Sequence, residues 1–214
     1  MLKRNRKTLI LTSLIILLPI LVGFFLWDQL PETMATHFNF KNEADGFSSK
    51  FFGVVGLPLI LLGVQWFSAI VTAKDPRKQN ISDKVYRLIL WIGPCISIFT
   101  TALVYAYNLG RPLDISLWGS LFVGLIFIII GNYLPKIRQN YTMGIKLPWT
   151  LANEENWNKT HRLGGVLYMV LGVFLLVTSF IGPFKGLGPK LVLVLLATLI
   201  PAIYSFILHT RKGL

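Results

Sequence analysis

The sequence predicts an all-α integral membrane protein, a bundle of six transmembrane helices with both termini in the cytoplasm. Three observations predict it. Six apolar runs follow one another along the 214-residue chain, each close to the roughly 20 residues a helix needs to cross a hydrocarbon core of about 30 Å. Charged residues make up only 14% and hydrophobic ones 54%, with a mean hydropathy of +0.62, whereas soluble domains carry about 25% charged residues. Lysines and arginines collect in alternate connections, as the positive-inside rule requires of an even number of spans.

Met1–Lys7 is a basic leader, and Thr8 to Trp27 follows without a charge. A signal peptide starts the same way, but its apolar region is shorter and ends in small residues. This run ends in Phe24-Phe25-Leu26-Trp27, so it is expected to stay as the first span. Asp28 to Lys50 is a net acidic loop in which Pro31 and Asp45-Gly46 signal turns and Met34–Phe40 is expected to form a short strand or an interfacial turn. The second run, Phe51 to Ala73, contains Pro58, which a membrane helix tolerates because its neighbours re-satisfy the freed backbone groups. Lys74 to Arg87 is rich in cations. Leu88–Tyr107 and Leu117–Leu134 are the third and fourth runs, joined by the hydrophilic turn Asn108–Ser116. The fifth and sixth, Val166–Gly182 and Leu191–Leu208, flank a turn at Pro183–Lys190, and the tail ends in Arg211-Lys212. Two parts are expected: residues 1–73, holding two spans and the acidic loop 28–50, and residues 74–214, holding four spans and a long polar connection at 131–165.

Several function classes fall away. The net charge of +12 is spread over the ends of apolar runs rather than gathered on a compact basic module, so no direct contact with nucleic acid is expected. Cys95, the single cysteine, lies in an apolar run and reads as a small buried hydrophobe. No Asp, Glu, Lys, Arg or His falls well inside a run, which disfavours a coupled transporter, and Gln65 is expected to make an interhelical hydrogen bond. The three histidines, His37, His161 and His209, are scattered, so no metal site and no cofactor are expected. HExxH, GxSxG and a glycine-rich phosphate loop are all missing, and no catalytic residue is assigned.

The connection GNYLPKIRQNYTMGIKLPWTLANEENWNKTHRLGG, Gly131 to Gly165, is too aromatic and too complex for a plain loop. Pro148 sets an extended or turn conformation before Trp149, and Thr150 or Asn153 can cap a new helix. Glu154 and Glu155 then occupy its first turn, where the macrodipole favours anions. Trp149 and Trp157 are expected at headgroup level as anchors. Capping does not account for Asn140, Gly144 and the polar run before Pro148.

That segment resembles the signature of SdpI-type bacterial immunity proteins, read approximately as G-N-x-[LM]-x-x-x-x-x-N-x-x-[IM]-G-[IL]-[RK]-x-P-W-T-L-x-[ND]-E-x-x-W. Gly131, Asn132, Leu134, Asn140, Met143, Gly144, Ile145, Lys146, Pro148, Trp149, Thr150, Leu151, Asn153, Glu154 and Trp157 carry the match, with Thr160, His161, Arg162 and Gly165 beyond it. LPETMATHFNFKNEADGFSSK likewise looks like the short uncharacterised domain at the N-terminus of such proteins, through Leu30-Pro31, His37-Phe38-Asn39, Asp45-Gly46 and Lys50. Lys146 stands where many relatives have arginine, which removes a planar bidentate donor. Lys41-Asn42 stands where relatives often have a glycine-centred turn.

The resemblance implies a non-enzymatic protein of the bacterial cell membrane that protects against a secreted membrane-active peptide toxin. It also implies signalling by recruitment of a cytoplasmic transcriptional repressor. Asn132, Asn140, Gly144, Lys146, Pro148, Trp149, Thr150, Glu154, Trp157 and His161 are the expected cytoplasmic docking residues; His37, Asn39 and Asp45 are the expected extracellular contacts to ligand. The alternative is a small membrane permease or efflux component. Membrane lipid is the remaining partner.

Overall fold

The computed structural model describes residues 1–39, 41–111, 113–181 and 187–214. It is mostly helical, and six of its helices are long and apolar enough to cross a membrane: Arg6–Phe25, Phe52–Ala73, Asp83–Asn108, Ile115–Lys136, Glu154–Thr178 and Lys190–Lys212. The protein is therefore a multi-pass membrane protein. Its residues fall into two compact units, Met1–Lys74 with Ser82–Ile115, and Asp75–Ile81 with Ser116–Leu214.

The first unit is built on α1 (Arg6–Phe25), α2 (Leu57–Ala73) and α3 (Asp83–Asn108), with a hairpin of β1 (Thr33–Phe38) and β2 (Ala44–Ser49) between α1 and α2. Apolar surface gains nothing by leaving lipid, so polar contacts and close approach hold the helices together. Gln65 Nε2 donates to Thr12 Oγ1 at 2.9 Å, the interhelical bond expected of it. Ser97 Oγ donates to Ile16 O at 2.9 Å and Tyr105 Oη to Pro19 O at 3.0 Å, tying α3 to α1. A Cβ at Gly23 would meet Val54 Cγ1 at 2.5 Å and Tyr105 Oη at 2.6 Å, so three elements converge on that glycine. Leu30, Met34, Val54, Val104 and Tyr105 form the buried cluster under the hairpin.

Proline shapes the second span. Pro58 has no N–H to give the preceding turn and its ring crowds the carbonyl four residues back. Phe52–Gly56 accordingly widens to a π-type turn that runs straight into α2. The third span starts at Asp83, earlier than its apolar run, because Ser82 accepts a hydrogen bond from Val85 N–H and caps it. Asp83 in that first turn pairs with Arg4 at 2.5 Å and accepts from Asn5 Nδ2 at 3.1 Å.

The second unit holds α4 (Ile115–Tyr133), a 3₁₀ turn at Leu134–Lys136, α5 (Pro148–Ala152), α6 (Glu154–Thr178) and α7 (Leu187–Lys212). Glycines let α4 and α6 touch backbone to backbone. A Cβ on Gly131 would lie 2.7 Å from Gly165 O, and one on Gly172 would lie 2.5 Å from Gly124 O, so the helices cross antiparallel along two glycine pairs. Leu171, Leu175 and Ala197 pack α6 against α7. Lys190, at the edge of the expected turn, belongs to α7 instead and is 3% exposed, with Nζ donating to Ser120 Oγ at 2.7 Å and Ser179 Oγ at 3.3 Å. Residues 183–186 of that turn, like Phe40 at the end of the expected strand, lie outside the described residues.

Candidate functional site

The long connection of the second unit folds into a tied knot of turns, and its buried polar residues do the tying. Asn140, fully buried, accepts from Thr142 N–H at 3.0 Å and Met143 N–H at 2.7 Å through Oδ1, and its Nδ2 donates to Arg138 O at 2.8 Å. An Asx side chain that bonds the backbone two and three residues on fixes a turn locally. Gly144 follows at φ 104°. A Cβ there would strike His161 Nε2 and come within 3.1 Å of the Trp157 ring, so only glycine fits both the conformation and the space.

His161 and Trp157 are the floor of this turn. Their rings stack at 3.9 Å between centroids, and Trp157 is 0% exposed. Trp157 Nε1 donates to Ile137 O at 2.7 Å. His161 Nδ1 lies 2.8 Å from Trp157 O, while Nε2 lies 3.0 Å from Ile145 N and takes its N–H. An imidazole that donates at Nδ1 and accepts at Nε2 is the neutral Nδ1–H tautomer. Trp157 is thus not the interfacial anchor expected of it: its position one turn into α6 aims it at the 137–145 backbone.

Thr150 closes the next turn. Leu147 is extended, as the residue before a proline must be, and Pro148 opens α5. Leu147 N–H donates to Thr150 Oγ1 at 2.8 Å, and that hydroxyl reaches Ile145 O at 2.9 Å. Asn153 then caps α6 by accepting from Asn156 N–H at 3.0 Å, with Glu154 and Glu155 in the first turn. The helix runs on unbroken from there through the fifth span. Trp149, half-buried, stacks on His209 at 5.9 Å and meets Phe206 edge-on at 5.3 Å.

The segment Asp75–Ile81 belongs to this unit and fastens the knot from outside. Asp75, 3% exposed, accepts from Tyr141 N–H and Thr142 Oγ1 at 2.9 Å each and from Arg77 N–H at 2.7 Å. The Arg77 guanidinium lies 5.0 Å from the Tyr141 ring centre and donates to Leu151 O at 3.3 Å. Asn80 Nδ2 donates to Gln139 O at 2.7 Å. On the far side, Asn156 accepts from Ser205 Oγ at 2.6 Å and from Thr160 Oγ1 at 3.0 Å, and donates to Ser205 O at 3.0 Å.

Among the expected docking residues, the structure therefore brings Asn140, Gly144, Thr150, Trp157 and His161 together inside the knot. Asn132, Lys146, Pro148 and Glu154 are exposed on it. Asn132 accepts from Lys136 Nζ at 3.0 Å, and Lys146 Nζ donates to Thr142 O at 3.1 Å. Sequence reasoning passed over Asp75, Arg77, Asn80 and Asn156. Asp75 in a cation-rich loop was the available signal; the others carried none.

The expected extracellular residues lie on the hairpin of the first unit. His37 and Asp45 face each other across the strands, Nδ1 to Oδ1 at 2.6 Å, and both are well exposed. Asn39 turns away from them into the hairpin bend. Its Oδ1 accepts from Lys41 N–H at 2.8 Å and Glu43 N–H at 3.1 Å, and Asn42 takes a positive φ of 69°. Lys50 is buried, donating to Trp27 O at 3.1 Å and pairing with Glu32 at 2.8 Å, so it anchors the loop.

Residues 136–208 match the SdpI/YfhL protein family, and residues 14–62 match the domain of unknown function DUF1648. Over 212 residues the chain is 27% identical to the immunity protein SdpI of Bacillus subtilis (strain 168), covering 97% of this chain and 98% of that protein. No solved structure matches. The resemblance read from the signature segment is borne out: the hairpin lies within residues 14–62, and the signature segment from Lys136 onward lies within residues 136–208.

Proposed function

We propose, from the premise that this chain carries the SdpI/YfhL segment together with the hairpin domain, that it is a non-enzymatic membrane immunity protein. Its action is protection against a secreted, membrane-active peptide toxin. The observation that supports this most is the likeness to an immunity protein over nearly the full length of both chains. The cation-rich leader, 74–87 loop, signature segment and tail favour a cytoplasmic position for both termini and an external one for the acidic hairpin. In that arrangement the hairpin, with His37 and Asp45 on its exposed face, meets the peptide. Asn132, Lys146, Pro148 and Glu154 give the signature segment a surface on which a cytoplasmic repressor can dock.

Expression in a toxin-sensitive strain, with survival measured against a panel of membrane-active peptides, tests the protective half. Survival no better than the empty vector against every peptide would sink it. The docking half is tested by Lys146→Glu and Glu154→Lys: membrane recruitment of a repressor should fall while survival is kept.

A small permease gains one observation, the buried Lys190 ammonium against Ser120 and Ser179 within the second unit. Export predicts protection that vanishes when the proton gradient is collapsed.

A further inference from the structure

We propose that the outward edge of β2 is a docking site for an extended cationic peptide, which adds to the hairpin as a third strand. The proposal rests on the protective reading above and names how the peptide is held.

The register shows which backbone groups are open. Lys50 N–H donates to Glu32 O at 2.8 Å, which makes that pair hydrogen-bonded. Antiparallel ladders alternate, so Met34 with Ser48 is the next bonded pair, and Thr33 with Ser49 and Ala35 with Phe47 turn their backbone groups away from each other. On β1 the outward groups of Ala35 are answered. Asn108 Oδ1 accepts from Ala35 N–H at 2.9 Å and Asn108 Nδ2 donates to Ala35 O at 3.0 Å, so one amide side chain takes the place of a neighbouring strand. On β2, the same alternation turns the N–H and C=O of Phe47 and the N–H of Ser49 to the outer side, where no further strand among the described residues pairs with them. The β1 edge is covered at Ala35, and the β2 edge turns the backbone of Phe47 and Ser49 outward.

What lies along the open edge selects the occupant. Phe47 is 61% exposed and offers an apolar neighbour to an incoming side chain. Asp45 stands exposed on the same strand, and Glu32, its side chain 88% exposed, lies at the start of the hairpin. The 28–50 loop carries Asp28, Glu32, Glu43 and Asp45 against Lys41 and Lys50. These carboxylates favour lysine or arginine on the added strand, and they oppose both an anionic lipid surface and a second copy of the same acidic loop. Backbone pairing supplies affinity without demanding a particular sequence, and alternate side chains supply the choice of partner. A sheet edge so exposed is otherwise a hazard that proteins cover or charge.

The test uses the full chain in nanodiscs of phosphatidylcholine. The probe is a fluorescent octapeptide of alternating lysine and valine, and the control is the same peptide N-methylated at every amide, which keeps side chains and charge but cannot pair. The unmethylated peptide is expected to bind at least about tenfold more tightly, the worth of one or two hydrogen bonds. Phe47→Pro removes an outward N–H where an edge strand tolerates proline, and should abolish that difference. Asp45→Lys should weaken binding, and Phe47→Val should leave it nearly unchanged. Equal binding of the two peptides, or unchanged binding to Phe47→Pro, overturns the assignment. So does quenching of Phe47→Trp by brominated lipid, which identifies lipid as the occupant, or crosslinking of Phe47→Cys between copies, which identifies a second chain. Survival assays on the same variants separate the two readings. Protection kept by Phe47→Pro overturns only the strand site; strand binding without protection in the unaltered chain overturns only the immunity reading.

Discussion

At the scale of single residues, Gly144 is the most constrained position in the signature segment. Its positive φ alone makes any other residue cost about 1–3 kcal/mol, and the collision with His161 and Trp157 adds to that. Gly144→Ala should therefore lower the melting temperature of the detergent-solubilised protein and expose the Trp157 indole, read as a red shift in its emission. Asp75 is the second such position. Replacing it with asparagine turns one acceptor into a donor facing N–H and O–H groups that need acceptors, a loss of about 1–3 kcal/mol. Limited proteolysis should then cut within residues 138–146, which stay protected in the unaltered chain. The residues that capping could not explain, Asn140 and Gly144, now have their account: one folds the turn and the other lets it lie against His161. The sequence showed that they were unusual but not what they touched, because an Asx turn and a ring contact from a distant helix leave no spacing signature. Trp157 was misplaced for a related reason. Residue type suggests an interface, whereas depth is set by which face of α6 it occupies.

At the scale of elements, the hairpin and the glycine crossing carry the expectations that can be measured. Asn108→Ala leaves Ala35 N–H without its partner, so hydrogen exchange there should quicken by about fivefold, the equivalent of a net hydrogen bond of about 1 kcal/mol. Gly165→Leu places a side chain where Pro135 Cγ and Gly131 O already sit within 2.8 Å of a Cβ. The expected outcome is a destabilised protein recovered in lower yield, while Gly63→Leu, with nothing near a Cβ, is silent. β1 was half-visible in its alternation. β2 was not, because Ala-Asp-Gly-Phe-Ser-Ser has weak strand propensity and gains its shape from pairing and from the cluster beneath it. Helix starts at Ser82 and Asn153 extended α3 and α6 beyond their apolar runs; at Asn153 the cap was legible, at Ser82 it went unread.

At the scale of the whole molecule, the spans were the most legible feature, since length and hydropathy answer directly to bilayer thickness. The proposed orientation rests on where the cations lie and can be measured in a Cys95→Ser background. A membrane-impermeant maleimide should label His37→Cys on intact cells and Arg211→Cys only after permeabilisation. Labelling of both on intact cells would contradict the positive-inside reading. Lys190 is the feature that hydropathy hid, because its charge sits at the edge of an apolar run and its hydroxyl partners come from other helices.

The crossing of Gly131 with Gly165 has a consequence for how this protein can change over time. The segment from Gly131 to Gly165 takes in the end of α4 and the first turns of α6, and its two ends are in backbone contact, so the crossing closes the loop between them. In a closed loop of this size, adding or removing a few residues alters closure entropy by only about a tenth of a kcal/mol. The segment is therefore an exchangeable cassette. Transplanting residues 132–164 from a relative with the same two glycines should leave the crossing of α4 with α6 intact while replacing the surface that the segment exposes.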